Sequence, residues 1–199
     1  MENSKKHTIS MKRIGKGNHG NAYLLQNGCV QKETNDILEF YAAKELIGKV
    51  MKHIIVVYQC HKVLLKNGVV YYKIKEEYLQ MSFNRIGIKR KNAFVKYFKL
   101  SWADCHEELP FDSYLRSINY IDFMFSCINN QCQEYCQRAF KLFLKRTRSK
   151  RFVGMYDMTC CAIAELHRYC PYLELDLNGG NLGFDSKGQL KFFDLRYKT

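Results

Sequence analysis

Asp176-Leu177-Asn178-Gly179-Gly180-Asn181, followed after a short hairpin by Phe192-Phe193-Asp194, is the stretch that decides the reading of this chain. Phosphoryl transfer asks for a carboxylate to accept the proton of an attacking hydroxyl, a side-chain amide oxygen on one magnesium ion, and a second carboxylate on the metal. Asp176, Asn181 and Asp194 supply those groups in that order and at the D-x-x-x-x-N spacing. Between Asn181 and Asp194, Leu182-Gly183-Phe184, Asp185-Ser186-Lys187-Gly188 and Gln189 to Phe193 read as strand, turn and strand. The return strand carries Asp194 back toward Asn181, as a shared metal site requires. Taken singly, Asp, Asn and Gly are common in turns for backbone reasons alone, so a surface hairpin that happens to carry acids is the competing reading. Their joint spacing is what favours chemistry.

An independent check lies near the other terminus. Ile14-Gly15-Lys16-Gly17-Asn18-His19-Gly20-Asn21-Ala22 fits G-x-G-x-x-G, in which Gly15, Gly17 and Gly20 let the backbone approach phosphates. The same spacing opens dinucleotide-binding folds, where a helix comes at once and an acid about 20 residues on binds ribose, a role Glu39 could fill. After Gly20, however, the chain shows a strand pattern from Asn21 to Leu25, an Asn27-Gly28 two-residue hairpin signal, and a second strand from Cys29 to Lys32. A glycine loop inside a hairpin is the arrangement of protein kinases, and Lys32 then falls where a lysine contacts the α- and β-phosphates. In a chain so rich in lysine, a solvated strand-end ammonium is the plain alternative.

Such a lysine needs a carboxylate partner on the next helix. Ile37 to Met51 has helical apolar spacing through Leu38, Tyr41, Ala42, Leu46, Ile47 and Val50, and Glu45 is the expected partner, with Glu39 second and a solvated helix face as the alternative for either. The apolar run Ile54 to Tyr58 reads as a fourth strand and Tyr71 to Leu79 as a fifth, running into a hinge whose register stays open.

On these residues the chain resembles a minimal protein kinase, similar to the early-gene kinases of T-odd coliphages and to the small kinase effectors of type III secretion systems. The likeness covers about residues 12–80 and 152–196 and is nearest in Gly15 to Lys32 and Cys161 to Asp194. It implies an α+β, abbreviated bilobal kinase-like fold in a single domain. An antiparallel-sheet N-lobe with helix C would span about residues 1–80, and a reduced, mostly helical C-lobe about 81–199. It further implies ATP and Mg2+ as cofactors, with Asp176, Lys32, Asn181 and Asp194 as the catalytic set. Gly15, Gly17, Gly20, Lys32 and Glu45 would bind nucleotide, and Asn181 and Asp194 the metal. The activity implied is Ser/Thr-directed phosphorylation of proteins, host proteins in host cytoplasm if the chain is a phage or effector protein.

Departures from the family pattern bear on regulation. Glu174 and Leu175 stand where the catalytic loop has His and Arg, so the arginine that clamps a phosphorylated activation segment is missing. Leu195-Arg196 replaces Phe-Gly, and the sequence ends at Thr199 without an activation segment or substrate-docking helices. Control by activation-loop phosphorylation is therefore not expected, and an activating partner could complete the missing surface. The alternative function is a catalytically weak, kinase-like binding module that engages a host protein or nucleic acid. Small-molecule phosphotransfer is a third, disfavoured for want of substrate helices and an acidic pocket.

Composition bounds the rest. The 199 residues are 47% hydrophobic, enough for one well-buried domain, and no run of about 20 apolar residues suggests a transmembrane span. Nine cysteines without a C-x-x-C pair, and no secretory leader, point to free thiols in a reducing cytoplasm. Cys127, Cys132 and Cys136 suit packing better than zinc, and His167 suits packing or helix capping better than acid-base work. Met1 to Met11 reads as a flexible lead-in. Phe111 to Leu144 is helical in spacing with a break at Asn129-Asn130, and Phe152 to Cys170 forms a further helix with Met155, Thr159, Ala162, Ile163 and Leu166 inward.

The net charge of +13 concentrates at Lys89-Arg90-Lys91 with Lys96 and Lys99, and at Lys141, Lys145, Arg146, Arg148, Lys150 and Arg151. Such patches attract polyanions, and Phe94, Tyr97 and Phe98 could stack on exposed bases; a merely solvated basic face is the alternative.

Overall fold

The computed structural model describes residues 11–80, 120–129, 134–146, 150–177 and 179–198. The architecture is α+β, as expected. Five antiparallel strands form one sheet: β1 (Lys12–Lys16), β2 (Gly20–Leu24), β3 (Val30–Thr34), β4 (Val57–Leu64) and β5 (Val70–Glu76), in the order β1-β2-β3-β5-β4. The turn joining β2 to β3 is a three-residue loop and not the expected two-residue one. Leu25 N–H bonds the Cys29 carbonyl at 2.9 Å while Gly28 takes a left-handed φ of 77°, and the same design recurs at Gly68 and Gly188.

Helix α1 (Ile37–Leu46) starts where Asp36 accepts the backbone N–H groups of Leu38 (2.8 Å) and Glu39 (3.4 Å). It stops five residues short of the expected Met51, because Gly48 adopts a φ of 76° and turns the chain out of the helix. Ala42, Ala43 and Leu46 are buried against the sheet and against a strand near the C-terminus.

The apolar run after α1 does not open β4, which begins at Val57. Ile54 and Ile55 are buried, and their backbone pairs with the distant Phe192: Ile55 N–H bonds the Phe192 carbonyl at 2.8 Å, and Phe192 N–H bonds the His53 carbonyl at 2.9 Å. The run is apolar because it threads between the sheet and the rest of the molecule. Glu165 fixes the same crossing by accepting the His53 N–H at 3.1 Å.

Three helices come next: α2 (Tyr120–Ile128), α3 (Glu134–Arg146) and α4 (Lys150–Tyr169). α2 ends where the Asn129-Asn130 break was expected. On α4 the expected inner face is observed, with Thr159, Ala162 and Leu166 buried and Met155 and Ile163 half-buried. Phe125, Phe143, Leu166, Leu173 and Phe192 join Ile54 and Leu46 in one apolar core. Short strands complete the chain: β6 (Leu173–Leu175) pairs with β9 (Leu195–Tyr197), and β7 (Leu182–Phe184) with β8 (Leu190–Phe192).

Among the described residues no helix is long and apolar enough to cross a membrane. The described cysteines are free thiols, with Cys127 and Cys170 buried. Of the basic clusters, Lys141 and Lys145 are exposed on α3. Lys89 to Lys99, with their interleaved aromatics, lie outside the described residues, as do Cys132, Arg148 and the lead-in up to Ser10.

Candidate active site

The glycine loop closes on itself through Gly17 N–H bonded to the Gly20 carbonyl at 2.9 Å. Gly17 and Gly20 line a cleft of about 330 Å³; Gly15 lies back within β1, opposite Ala22, and does not line it. A Cβ built on Gly20 would run into the Glu33 carbonyl of β3. Gly20→Ala is therefore expected to part β2 from β3 and cost about 1–3 kcal/mol of stability, seen as a fall in Tm.

Lys32 extends from β3 into the cleft, its side chain 23% exposed, and forms an ion pair with Glu39. Its ammonium also lies 3.6 Å from Asp194 Oδ1. Burial by itself would lower the Lys32 pKa, but the negative charges of Glu39, Asp194 and Glu76 outweigh it and hold the lysine above its ordinary value. Glu45, the expected partner, is elsewhere: it is half-exposed and 3.7 Å from Lys49, one helical turn on. The reason is helical geometry. Glu39 shares a stripe with Ala42, Ala43 and Leu46 at i+3, i+4 and i+7, the face that packs inward, whereas Glu45 is six residues on and turned away. That spacing is present in the sequence, but a helix running on to Met51 favours the carboxylate nearer its middle.

Should the cleft transfer phosphate, Glu39→Gln is expected to lower kcat/KM on the order of 10–100-fold by loosening Lys32. Glu45→Gln, an exposed carboxylate paired only at 3.7 Å with Lys49, should stay within about twofold. Equal effects of the two would contradict the geometry.

Asp176, Asn181 and Asp194 are gathered by backbone pairing. Asp176 N–H bonds the Asp194 carbonyl at 3.1 Å, and Phe193 N–H bonds the Asn181 carbonyl at 3.1 Å, so the β7–β8 hairpin returns Asp194 to the Asp176–Asn181 loop. Asn181 Nδ2 donates to the Asp176 carboxylate at 2.8 Å and to its carbonyl at 3.1 Å. Both bonds use the amide nitrogen and not the amide oxygen. Burial pushes the Asp194 carboxyl up, Lys32 pulls it down, and Glu39 and Asp176 push it further up.

A fourth carboxyl was not foreseen. Glu76, the last residue of β5, reaches a small space behind Lys32 that Glu39, Ala43, Phe193 and Asp194 also line. Burial, opposed by Lys32 and reinforced by Glu39 and Asp194, pushes its pKa up to about 8. No motif marks this residue; only the β3–β5 pairing, which sets Glu76 opposite Val30, carries it to the cleft. Because the folded-state pKa is raised, the folded chain holds a proton that the unfolded chain releases at ordinary carboxylate pH. Stability should therefore fall as pH rises from about 4.5 to about 8. Glu76→Gln should flatten that slope and raise Tm at about pH 8; an unchanged slope in a melting series without metal would refute the assignment.

The donor set fits a hard divalent cation. Asp194 and the Asn181 amide oxygen are oxygen ligands of the kind magnesium takes alongside substrate phosphates, and the carboxylates of the cleft, Asp36, Glu39, Asp176 and Asp194, outnumber its cations Lys32 and Arg196. No family model and no curated protein matches the chain.

Proposed function

We propose that this chain is an ATP- and magnesium-dependent protein kinase of Ser/Thr type, built as an abbreviated bilobal unit with the five-stranded sheet and α1 as its N-lobe. The observation that carries the reading is the convergence, from two distant regions of the sequence, of the Lys32–Glu39 pair, Asp194 and the Asp176–Asn181 pair beside one glycine loop. Magnesium, when bound, would neutralise phosphate charge and be held by Asn181 and Asp194. Gly17 and Gly20 let the backbone close over phosphates. Lys32, oriented by Glu39, supplies positive charge to them, and Asp176 receives the acceptor hydroxyl's proton. The protein substrate and any activating partner would be host proteins if the chain is a phage or effector protein, and the site of action would be cytoplasmic.

The test is incubation of the purified chain with γ-labelled ATP and magnesium, with and without host lysate. Label on protein Ser or Thr supports the reading, and a need for lysate points to an activating partner. ATP binding without transfer in either arm supports the kinase-like binding module instead.

A further inference from the structure

On the other side of the Leu175–Leu177 segment from the cleft lies a cavity of about 280 Å³, bounded by Asn129, α4, β6 with the residues after it, and β9 with Lys198. Its floor is apolar, with Leu166 and Leu175 buried and Ile163 and Leu177 half-buried. Its rim carries two cations, Arg196 and Lys198, with the His167 imidazole beside them, all three exposed; the Lys198 ammonium donates to the Pro171 carbonyl at 2.6 Å. Among the described residues the one carboxylate in the lining, Glu174, accepts a bond from Arg196 Nε at 2.7 Å.

The wall between this cavity and the cleft is the segment Leu175 to Leu177 together with its partner strand β9. Leu175 and Leu177 line the cavity, Asp176 between them lines the cleft, and Arg196 borders both. A chain seated in the cavity is thus one strand away from the group that would receive the acceptor's proton. The volume falls just below the roughly 300 Å³ at which small-molecule pockets begin, which suits one or two side chains of a peptide. An apolar floor beneath a positive rim calls for an apolar side chain flanked by carboxylates, and the chain's charge of +13 would steer such a segment in. A nucleic-acid backbone would satisfy the rim and leave the floor unfilled.

We propose that this cavity docks the phosphoacceptor protein through a segment in which a large apolar residue is flanked by Asp or Glu; the assignment of the docked protein as an acceptor rests on the kinase reading above. A carboxylate of that segment competes with Glu174 for Arg196, so docking is felt at β9, directly after Asp194.

The test uses the full chain carrying Asp176→Asn, so that no transfer intrudes, and a short fluorescein-labelled peptide of Asp and Glu around a central Phe. The expected result is saturable binding, about tenfold weaker for the same peptide with Ser in place of Phe. Binding should also be about tenfold weaker for the chain further changed by His167→Glu and Lys198→Glu, two rim positions outside the cleft, with ATP affinity unchanged. Equal binding of the Phe and Ser peptides would reduce the effect to bulk charge and overturn the proposal. So would indifference to the rim changes, or displacement of the peptide by a single-stranded oligonucleotide at lower concentration. With Asp176 intact and a Ser added beside the Phe, the rim changes should raise KM and leave kcat alone. Peptide that binds as described but is never phosphorylated would count against the kinase reading and leave the docking site standing.

Discussion

Asp176→Asn is expected to lower phosphate transfer on the order of 10²–10⁴-fold while ATP affinity stays within about twofold. The substitution keeps a side-chain oxygen that can accept the bond from Asn181 Nδ2, now 2.8 Å, and it leaves untouched the backbone bond from Asp176 N–H to the Asp194 carbonyl. What disappears is the basic carboxylate. Lys32 and Gly20, which would meet the phosphates, lie in the same cleft and are not altered. Single-turnover transfer measured beside nucleotide binding separates the two effects. A variant that transfers phosphate normally would remove Asp176 from the chemistry; one that also loses ATP would mean that the substitution has collapsed the loop.

Lys191→Met is expected to destabilise the fold by about 3–5 kcal/mol, the cost of stranding a buried charge. Lys191 on β8 has a side chain only 8% exposed. Its ammonium lies 2.7 Å from Glu77 Oε2 and 3.7 Å from Asp185 Oδ2, whose side chain is also 8% exposed. Asp185 keeps its bonds from the backbone of Lys187 and Gln189, and burial is opposed there by these bonds and by Lys191, which together hold its carboxyl below the ordinary range. Glu77 keeps only a longer bond from Val56 N–H, at 3.3 Å, so it bears most of the loss. For a chain of this length the fall in Tm should be about 6–20 °C. Adding Glu77→Gln should recover part of it, because the orphaned charge is then gone. A change of Tm within a degree or two would mean that water reaches Glu77. The pair also ties the segment leaving β5 to the hairpin that returns Asp194.

How much of this is legible in the sequence depends on the range of the interactions. The β2–β3 and β7–β8 hairpins announce themselves because Asn27-Gly28 and Asp185-Ser186-Lys187-Gly188 turns act over a few residues. The Asp176–Asn181 pair does so because only four residues separate its members. Glu39 is legible in principle from its spacing to Ala42, Ala43 and Leu46, but only once the end of α1 at Gly48 is known.

The sequence by itself determined the strands around the glycine loop, the position of Lys32, and the order Asp176, Asn181, Asp194, since turn preference and ligand spacing are local properties. Tertiary structure alone decided that Glu39 and not Glu45 meets Lys32, and that Ile54 and Ile55 cross to Phe192 before β4 begins. It also decided that Glu76 stands behind the lysine and that Lys191 is held between Glu77 and Asp185. Each of these depends on which faces are brought together across long stretches of chain, and burial, which sets the strength of a charge pair, does not exist until they meet.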